Sequence, residues 1–142
     1  MTLNGSCMCG AIAYTSSFPC DQMPLWKATK TETTMEKWTG SAFTSNVIVP
    51  RDSFKLSQPG TPRSYDATGD SGKVNKHFFC GDCGSSLYSE LEIMSDKTGI
   101  KAGTLDGGEA HLHNKVDVEF YVKDRVHYLN ALDNARQEPR LG

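Results

Sequence analysis

Two tight cysteine pairs constrain this chain more than any other feature: Cys7-Met8-Cys9 near the N-terminus, and Cys80-Gly81-Asp82-Cys83 about seventy residues later. Thiolates at such short spacing present two sulfurs to one tetrahedral ion. Two such pairs close a four-coordinate structural zinc with no vacant position. A closed site of this kind holds a fold together and performs no chemistry. Gly81 and Gly84 are expected to supply the positive φ angles with which a knuckle turns its amides toward sulfur. Closing the intervening loop costs an unlinked chain ~4 kcal/mol, so a bound ion ties the N-terminus to the middle of the chain.

Disulfides, a redox CxxC and buried free thiols are the alternatives. Met1 to Gly10 holds neither the basic stretch nor the apolar run of a secretory leader, so the expectation is a cytoplasmic protein in a compartment where stable disulfides are rare. A redox CxxC belongs in a βαβ context, and that pattern is missing. The fifth cysteine, Cys20, reads as a small buried hydrophobe. At 142 residues with a formal net charge of −2, the chain is expected to form a single domain over residues 1–142. Its Lys and Arg are scattered rather than gathered into a basic stripe, which argues against a nucleic-acid partner. No segment reaches the roughly twenty apolar residues of a membrane span. A small-molecule partner is expected, on a monomer or homodimer.

Strand signals are short and frequent: Ala11 to Tyr14, Phe43 to Val49, Phe54 to Leu56, Val74 to Phe79, Ser86 to Glu92, Ile100 to Ala102 and Val116 to Val122. Gly, Pro and Asp clusters separate them at intervals that suit an antiparallel, mainly β domain. The Thr-rich stretch from Asp21 to Lys37 has low helix propensity, so only a turn or two is expected around Thr29 to Glu36. The polar tail over residues 133–142 is expected to lie on the surface or fray.

Around the cysteines stand four blocks: Gly5-Ser6-Cys7-Met8-Cys9-Gly10-Ala11-Ile12-Ala13-Tyr14, Lys37-Trp38-Thr39-Gly40-Ser41-Ala42-Phe43, Phe79-Cys80-Gly81-Asp82-Cys83-Gly84-Ser85 and Lys101-Ala102-Gly103-Thr104-Leu105-Asp106. In this order they resemble the glutathione-dependent formaldehyde-activating enzyme family, also called the centromere protein V domain. Val118 to Arg125 resembles the family's closing strand. The resemblance implies a compact fold of coiled antiparallel sheets around a structural zinc, similar to methionine sulfoxide reductase B and zinc-bearing Rab exchange factors. It implies zinc ligation at Cys7, Cys9, Cys80 and Cys83, a carbon-sulfur lyase type of activity, and a second zinc held by a CxCxxC triad just before the Trp-Thr-Gly block.

Here the chain departs from the family. The triad positions hold Lys30, Glu32 and Met35, an ammonium, a carboxylate and a weak thioether, which cannot replace three thiolates. The second, catalytic zinc is therefore expected to be missing, which makes glutathione a doubtful cofactor. Glu32 and Lys30 become the candidate catalytic acid-base pair, against the plainer reading of a solvated loop salt bridge. His77 joins them, either facing the pocket or donating to a zinc thiolate, unless it is simply a satisfied histidine. Trp38, Phe43, Lys101 and Asp106 are candidate substrate-binding residues, each with a packing or turn role as its alternative. His111-Leu112-His113 alternates as a strand would, but two imidazoles without a third ligand make a weak metal site.

Three functions fit these residues. The first is a lyase- or isomerase-type enzyme of secondary metabolism that carries out acid-base elimination, isomerisation or cyclisation on a small carbonyl or thioether compound. The second is a non-catalytic binding protein on the same fold. The third is the ordinary family activity, with a zinc recruited through Glu32 and the histidines.

Overall fold

The computed structural model describes residues 2–19, 22, 24–28, 33–69, 71–107 and 112–141, with Thr33 and Thr34 described by backbone alone. Lys30, Glu32, Cys20 and His111 lie outside the described residues. The described elements run β1 (Leu3–Ser6), β2 (Ala13–Ser16), β3 (Leu25–Ala28), α1 (Thr33–Thr39), β4 (Thr44–Pro50), β5 (Phe54–Leu56), β6 (Arg63–Thr68), β7 (Val74–Phe79), β8 (Ser86–Leu91), β9 (Lys97–Lys101), β10 (Val118–Phe120) and β11 (Arg136–Glu138). Strands β1-β2-β5 form a small sheet, and β11-β10-β3-β4-β9-β8-β7-β6 form a large one.

Side-chain alternation gives the large sheet two different faces. On one, Leu25 pairs with Val47, Val47 with Ile100, Ile100 with Tyr88 and Tyr88 with Phe78. This row packs against Leu3 and Tyr14 of the small sheet, and Ile12 just before β2, to make the main core. Tyr14, Leu87, Val49 and Ile100 are fully buried, each contributing about 1.5–3 kcal/mol by removal from water. The buried Tyr14 hydroxyl meets Thr104 Oγ1 at 2.6 Å, as a phenol inside a core requires. Tyr14, Phe54, Tyr88 and Phe78 continue as a chain of ring contacts 4.4–5.2 Å apart.

The opposite face carries two adjacent rows. In one, Val118 pairs with Trp26, Trp26 with Asn46 and Asn46 with Lys101. In the other, Ile48 pairs with Gly99, Gly99 with Ser89 and Ser89 with His77. These rows form the floor of the site described below.

The antiparallel expectation holds for most of the ladder but fails at one edge, where β10 runs parallel to both β3 and β11. Strands β1, β3, β6 and β11 carried no readable signal. Strand β6 is an edge strand with most of its residues exposed, so its polar sequence shows no apolar alternation. The described helix runs past the expected Glu36 to Thr39, its last turn closing with Gly40 N–H on Glu36 O at 2.6 Å. Residues 112–117 hold no strand, and Leu112 and His113 are exposed, so the strand-like alternation of His111-Leu112-His113 does not become a ladder. The C-terminal tail lies at the surface, but it is pinned. Strand β11 pairs with β10, Gln137 Nε2 donates to Glu119 Oε2 at 2.6 Å, and Leu141 packs on the Trp26, Val118 and Phe120 cluster.

Glu119, fully buried, anchors that edge. Its Oε1 forms an ion pair with Lys27 Nζ at 3.0 Å, outside hydrogen-bonding angles. Its Oε2 accepts the Leu132 amide at 2.8 Å and faces Arg125 Nη2 at 3.5 Å. Burial alone would raise its pKa, but the Leu132 amide, Gln137 and Lys27 outweigh it and hold the carboxyl below its usual range.

Candidate functional site

The two cysteine pairs converge. Cys7 and Cys80 are buried in the core, Cys83 is half-buried and Cys9 exposed, and all four sulfurs lie within 4.8 Å of one another. Cys7 Sγ to Cys9 Sγ is 3.6 Å and Cys9 Sγ to Cys80 Sγ is 3.8 Å. A tetrahedral ion with thiolate bonds of about 2.3 Å requires sulfurs about 3.8 Å apart, so the residues present fit a metal ion. Among the described residues these four make the one such metal-ligating group.

Both knuckles are preformed by the backbone. Cys7 and Ile12 close one through Cys7 N–H to Ile12 O at 3.0 Å, and Cys80 and Ser85 close the other at 3.0 Å. The Ile12 and Asp82 amides point at Cys7 Sγ and Cys80 Sγ at 3.3 and 3.4 Å, the outer contacts that stabilise bound thiolates. Gly10 and Gly84 take the left-handed turns at φ +79° and +78°. Gly81 does not share that conformation; a Cβ there would stand 2.8 Å from Arg63 Cδ, so its smallness admits Arg63 instead. The Ser85 hydroxyl and amide pull the Cys83 thiol down to about 5. At Cys9 the Ala11 amide lowers the pKa, but Cys7 and the other thiols override it and push Cys9 up to about 12. Crowded sulfurs that resist common ionisation are a set that a cation stabilises.

A cleft of about 60 Å³ opens on the other face of the large sheet. Its walls include Trp26, Met35, Asn46, His77, Ser89 and Lys101. His77 is buried, with Nδ1 2.9 Å from Ser89 Oγ. Trp38 of α1 stacks on its ring at 4.8 Å with planes 17° apart. Burial, and then the Lys101 charge, hold His77 down at about 4, so the ring is neutral at physiological pH. Its partner is therefore a serine in the cleft wall and not a cysteine sulfur.

Lys101 is also buried. Its Nζ donates to Thr44 Oγ1 at 2.9 Å and Asn46 Oδ1 at 3.1 Å and stands 5.9 Å from the Trp38 ring centroid. Burial lowers it to about 7. The Trp38 Nε1–H is buried and bonded to nothing among the described residues. Tyr121, on the cleft rim, sits at φ 58°, a conformation uncommon outside glycine and frequent at functional sites.

Three of the sequence-predicted residues thus meet: His77, Lys101 and Trp38. Phe43 stands apart, under Lys27 Nζ at 4.8 Å, on the wall of a neighbouring open hollow that Lys101 also borders. Asp106 is exposed and lines neither space. Met35 lines the cleft. Sequence reasoning missed Thr44, Asn46 and Ser89, the neutral partners of the two buried bases. The available signal was period 2: Thr44, Asn46 and Ile48 share one face of β4, while Val47 and Val49 share the other.

The profile of the family described as glutathione-dependent formaldehyde-activating enzyme matches residues 2–124. A search of curated proteins returned no match. Among solved structures, the fold resembles the crystal structure of a Rhodobacter sphaeroides protein, with a TM-score of 0.58 and 15% identity over 80% of this chain and 96% of that one. A profile match across most of the chain, over a fold with the expected cysteine cluster, places this chain in the glutathione-dependent formaldehyde-activating enzyme family.

Proposed function

We propose that this chain is a small-molecule-processing enzyme of the carbon-sulfur lyase type, which acts on a small carbonyl or thioether compound by proton transfer within the cleft. The ion at Cys7, Cys9, Cys80 and Cys83 is zinc on this reading, since four thiolates at tetrahedral spacing select it, and its closed coordination leaves it a structural role. The observation that carries the proposal is the pairing of two buried bases, His77 and Lys101, in one small aromatic-walled cleft. Burial brings Lys101 down to about 7 and, with the Lys101 charge, keeps His77 neutral, and such perturbed groups gather at active sites.

With Nδ1–H given to Ser89, His77 presents a lone pair on Nε2. The buried Trp38 Nε1–H is a free donor for a substrate oxygen. Glu32 immediately precedes α1, whose Met35 and Trp38 reach the cleft and its His77, and it serves as the second proton carrier with Lys30 beside it. Elimination, isomerisation and cyclisation all need only this equipment.

The test pairs metal counting with turnover. Purified protein is assayed by NMR against formaldehyde with glutathione and against a panel of small thiohemiacetals, thioethers and carbonyl compounds, with zinc measured per chain. We expect turnover at one zinc per chain, reduced about 10²- to 10⁴-fold by Glu32→Gln or His77→Gln. Turnover that rises with a second equivalent of zinc would replace this reading with the ordinary family route. Saturable binding without turnover would make the chain a binding protein.

A further inference from the structure

Among the described residues two lysines are buried, Lys27 and Lys101, and their surroundings differ. Lys27 has a carboxylate, Glu119 Oε1, at 3.0 Å. Lys101 has only the neutral oxygens of Thr44 and Asn46, and no carboxylate pairs with it among the described residues. A buried ammonium without a counter-charge is costly, and such a group relieves the cost by shedding its proton. Its surroundings name the same outcome: His77 faces it from β7, Ser89 from β8, Thr44 and Asn46 from β4, and Met35 and Trp38 from α1. Of these, only His77 titrates, and it is held neutral. Lys101 also borders both the cleft and an open hollow of about 340 Å³ lined by Phe43, Thr104 and Leu112.

We propose that Lys101 is a covalent amine that condenses with a small aldehyde in the cleft. The inference rests on the reading of the cleft as the reaction site given above. The Nζ lone pair adds to the carbonyl carbon, the nitrogen gives up a proton and the carbonyl oxygen gains one, forming a carbinolamine. The carbon–oxygen bond then breaks, the oxygen leaves as water with a second proton, and the carbon–nitrogen double bond forms. One aldehyde, one amine and one proton drawn from solvent become one iminium and one water, with nothing oxidised or reduced. His77 is the neighbouring group that relays the protons. A cleft of about 60 Å³ has room for roughly four waters, which limits the aldehyde to about three carbons. A desolvated lysine is the side chain suited to such condensation.

The probe is propionaldehyde with sodium cyanoborohydride at about pH 6.5, where ordinary lysines are almost wholly protonated. Peptide mapping of the wild-type protein should show Lys101 gaining one propyl group about tenfold or more faster than any other lysine. The folded Lys101→Arg variant should show no preferred site. Labelling of Lys101 at or below the rate of exposed lysines overturns the proposal. Tryptophan fluorescence, titrated with the aldehyde alone, separates the two claims. Saturable quenching without preferred labelling removes the covalent step and leaves the cleft as the binding site, whereas neither signal removes both.

Discussion

The cysteine cluster and the cleft lie on opposite faces of the large sheet and are built on opposite principles. Each sulfur of the cluster has a partner close by in the chain or across one loop, and the backbone amides are already turned toward it. The cleft collects side chains from β3, β4, β7, β8, β9 and α1 and, among the described residues, leaves two groups short: an ammonium without a carboxylate and an indole donor without an acceptor. Satisfied groups hold a fold, while groups short of partners are free to engage a ligand. Strand β7 joins the two regimes, with His77 on the cleft side and Cys80 just past its end. A register shift between Phe78 and Phe79 lies between them, a bulge of the kind that re-aims a strand at a functional boundary.

The sharpest break in this contrast is at the cysteines. Cys80→Ser removes a ligand from a site whose metal-binding free energy is folding free energy, on the order of 10 kcal/mol. That is comparable to the whole stability of an ordinary domain, so the variant should lose both its metal and its cooperative melt, measured by metal content and circular dichroism. A metal-free variant that melts like the parent would move the cysteines out of the satisfied class.

Glu119 tests the same class without metal. Glu119→Ala strands Lys27 in the interior and removes the acceptor of the Leu132 amide and Gln137. Breaking one side of a buried pair costs about 3–5 kcal/mol, and here the loss should also release β11. Urea unfolding gives the energy, and amide exchange at residues 136–138 reports the release. Normal protection there would show that the β10–β11 pairing and Leu141 packing hold the tail without Glu119.

Legibility followed the same division. The cluster could be read because its ligands come as two short words, CxC and CxxC, whose spacing carries the geometry. Longer strands with an apolar face toward the core, such as β4 with Val47 and Val49, were legible through alternation. The parallel edge was legible only in part: β10 lies inside the expected strand Val116 to Val122, but β11 is three residues, too short for a period, and the parallel pairing that joins them is long-range. His77 and Lys101 could be singled out, but their neutral partners Ser89, Thr44 and Asn46 become meaningful only once the register sets the rows side by side.

His77 sharpens the contrast through pH. Its folded pKa, about 4, lies below the ordinary value of about 6.5. The unfolded chain therefore binds the proton more readily between these values. The stability contributed by a neutral, buried ring is fully present above about pH 6.5 and is lost as pH falls toward 4, by up to ~3 kcal/mol. The cysteines also take up protons in acid, so the measurement is a difference. Urea midpoints of wild type and His77→Gln at pH 7 and pH 4.5 should converge on acidification. Parallel losses would place the acid sensitivity wholly in the metal cluster.

The smallest expected effect has the unusual sign. Lys101 has a folded pKa of about 7 against about 10.4 in an unfolded chain. The unfolded state holds the extra proton across that interval, so wild-type stability rises with pH from about 7 to about 10 and bears the full cost of the buried amine below it. That cost is ~4–5 kcal/mol. Lys101→Met removes it but strands two oxygens, Thr44 Oγ1 and Asn46 Oδ1, at ~1 kcal/mol each. The net expectation is a gain on the order of 2 kcal/mol at pH 6 that turns into a loss toward pH 10, where only the two stranded oxygens count, read from urea unfolding at both values. Stabilisation together with loss of turnover is the signature of a residue kept for function at the expense of the fold. Destabilisation by Lys101→Met at pH 6 would instead place Lys101 among the satisfied groups and erase the contrast at its most specific point.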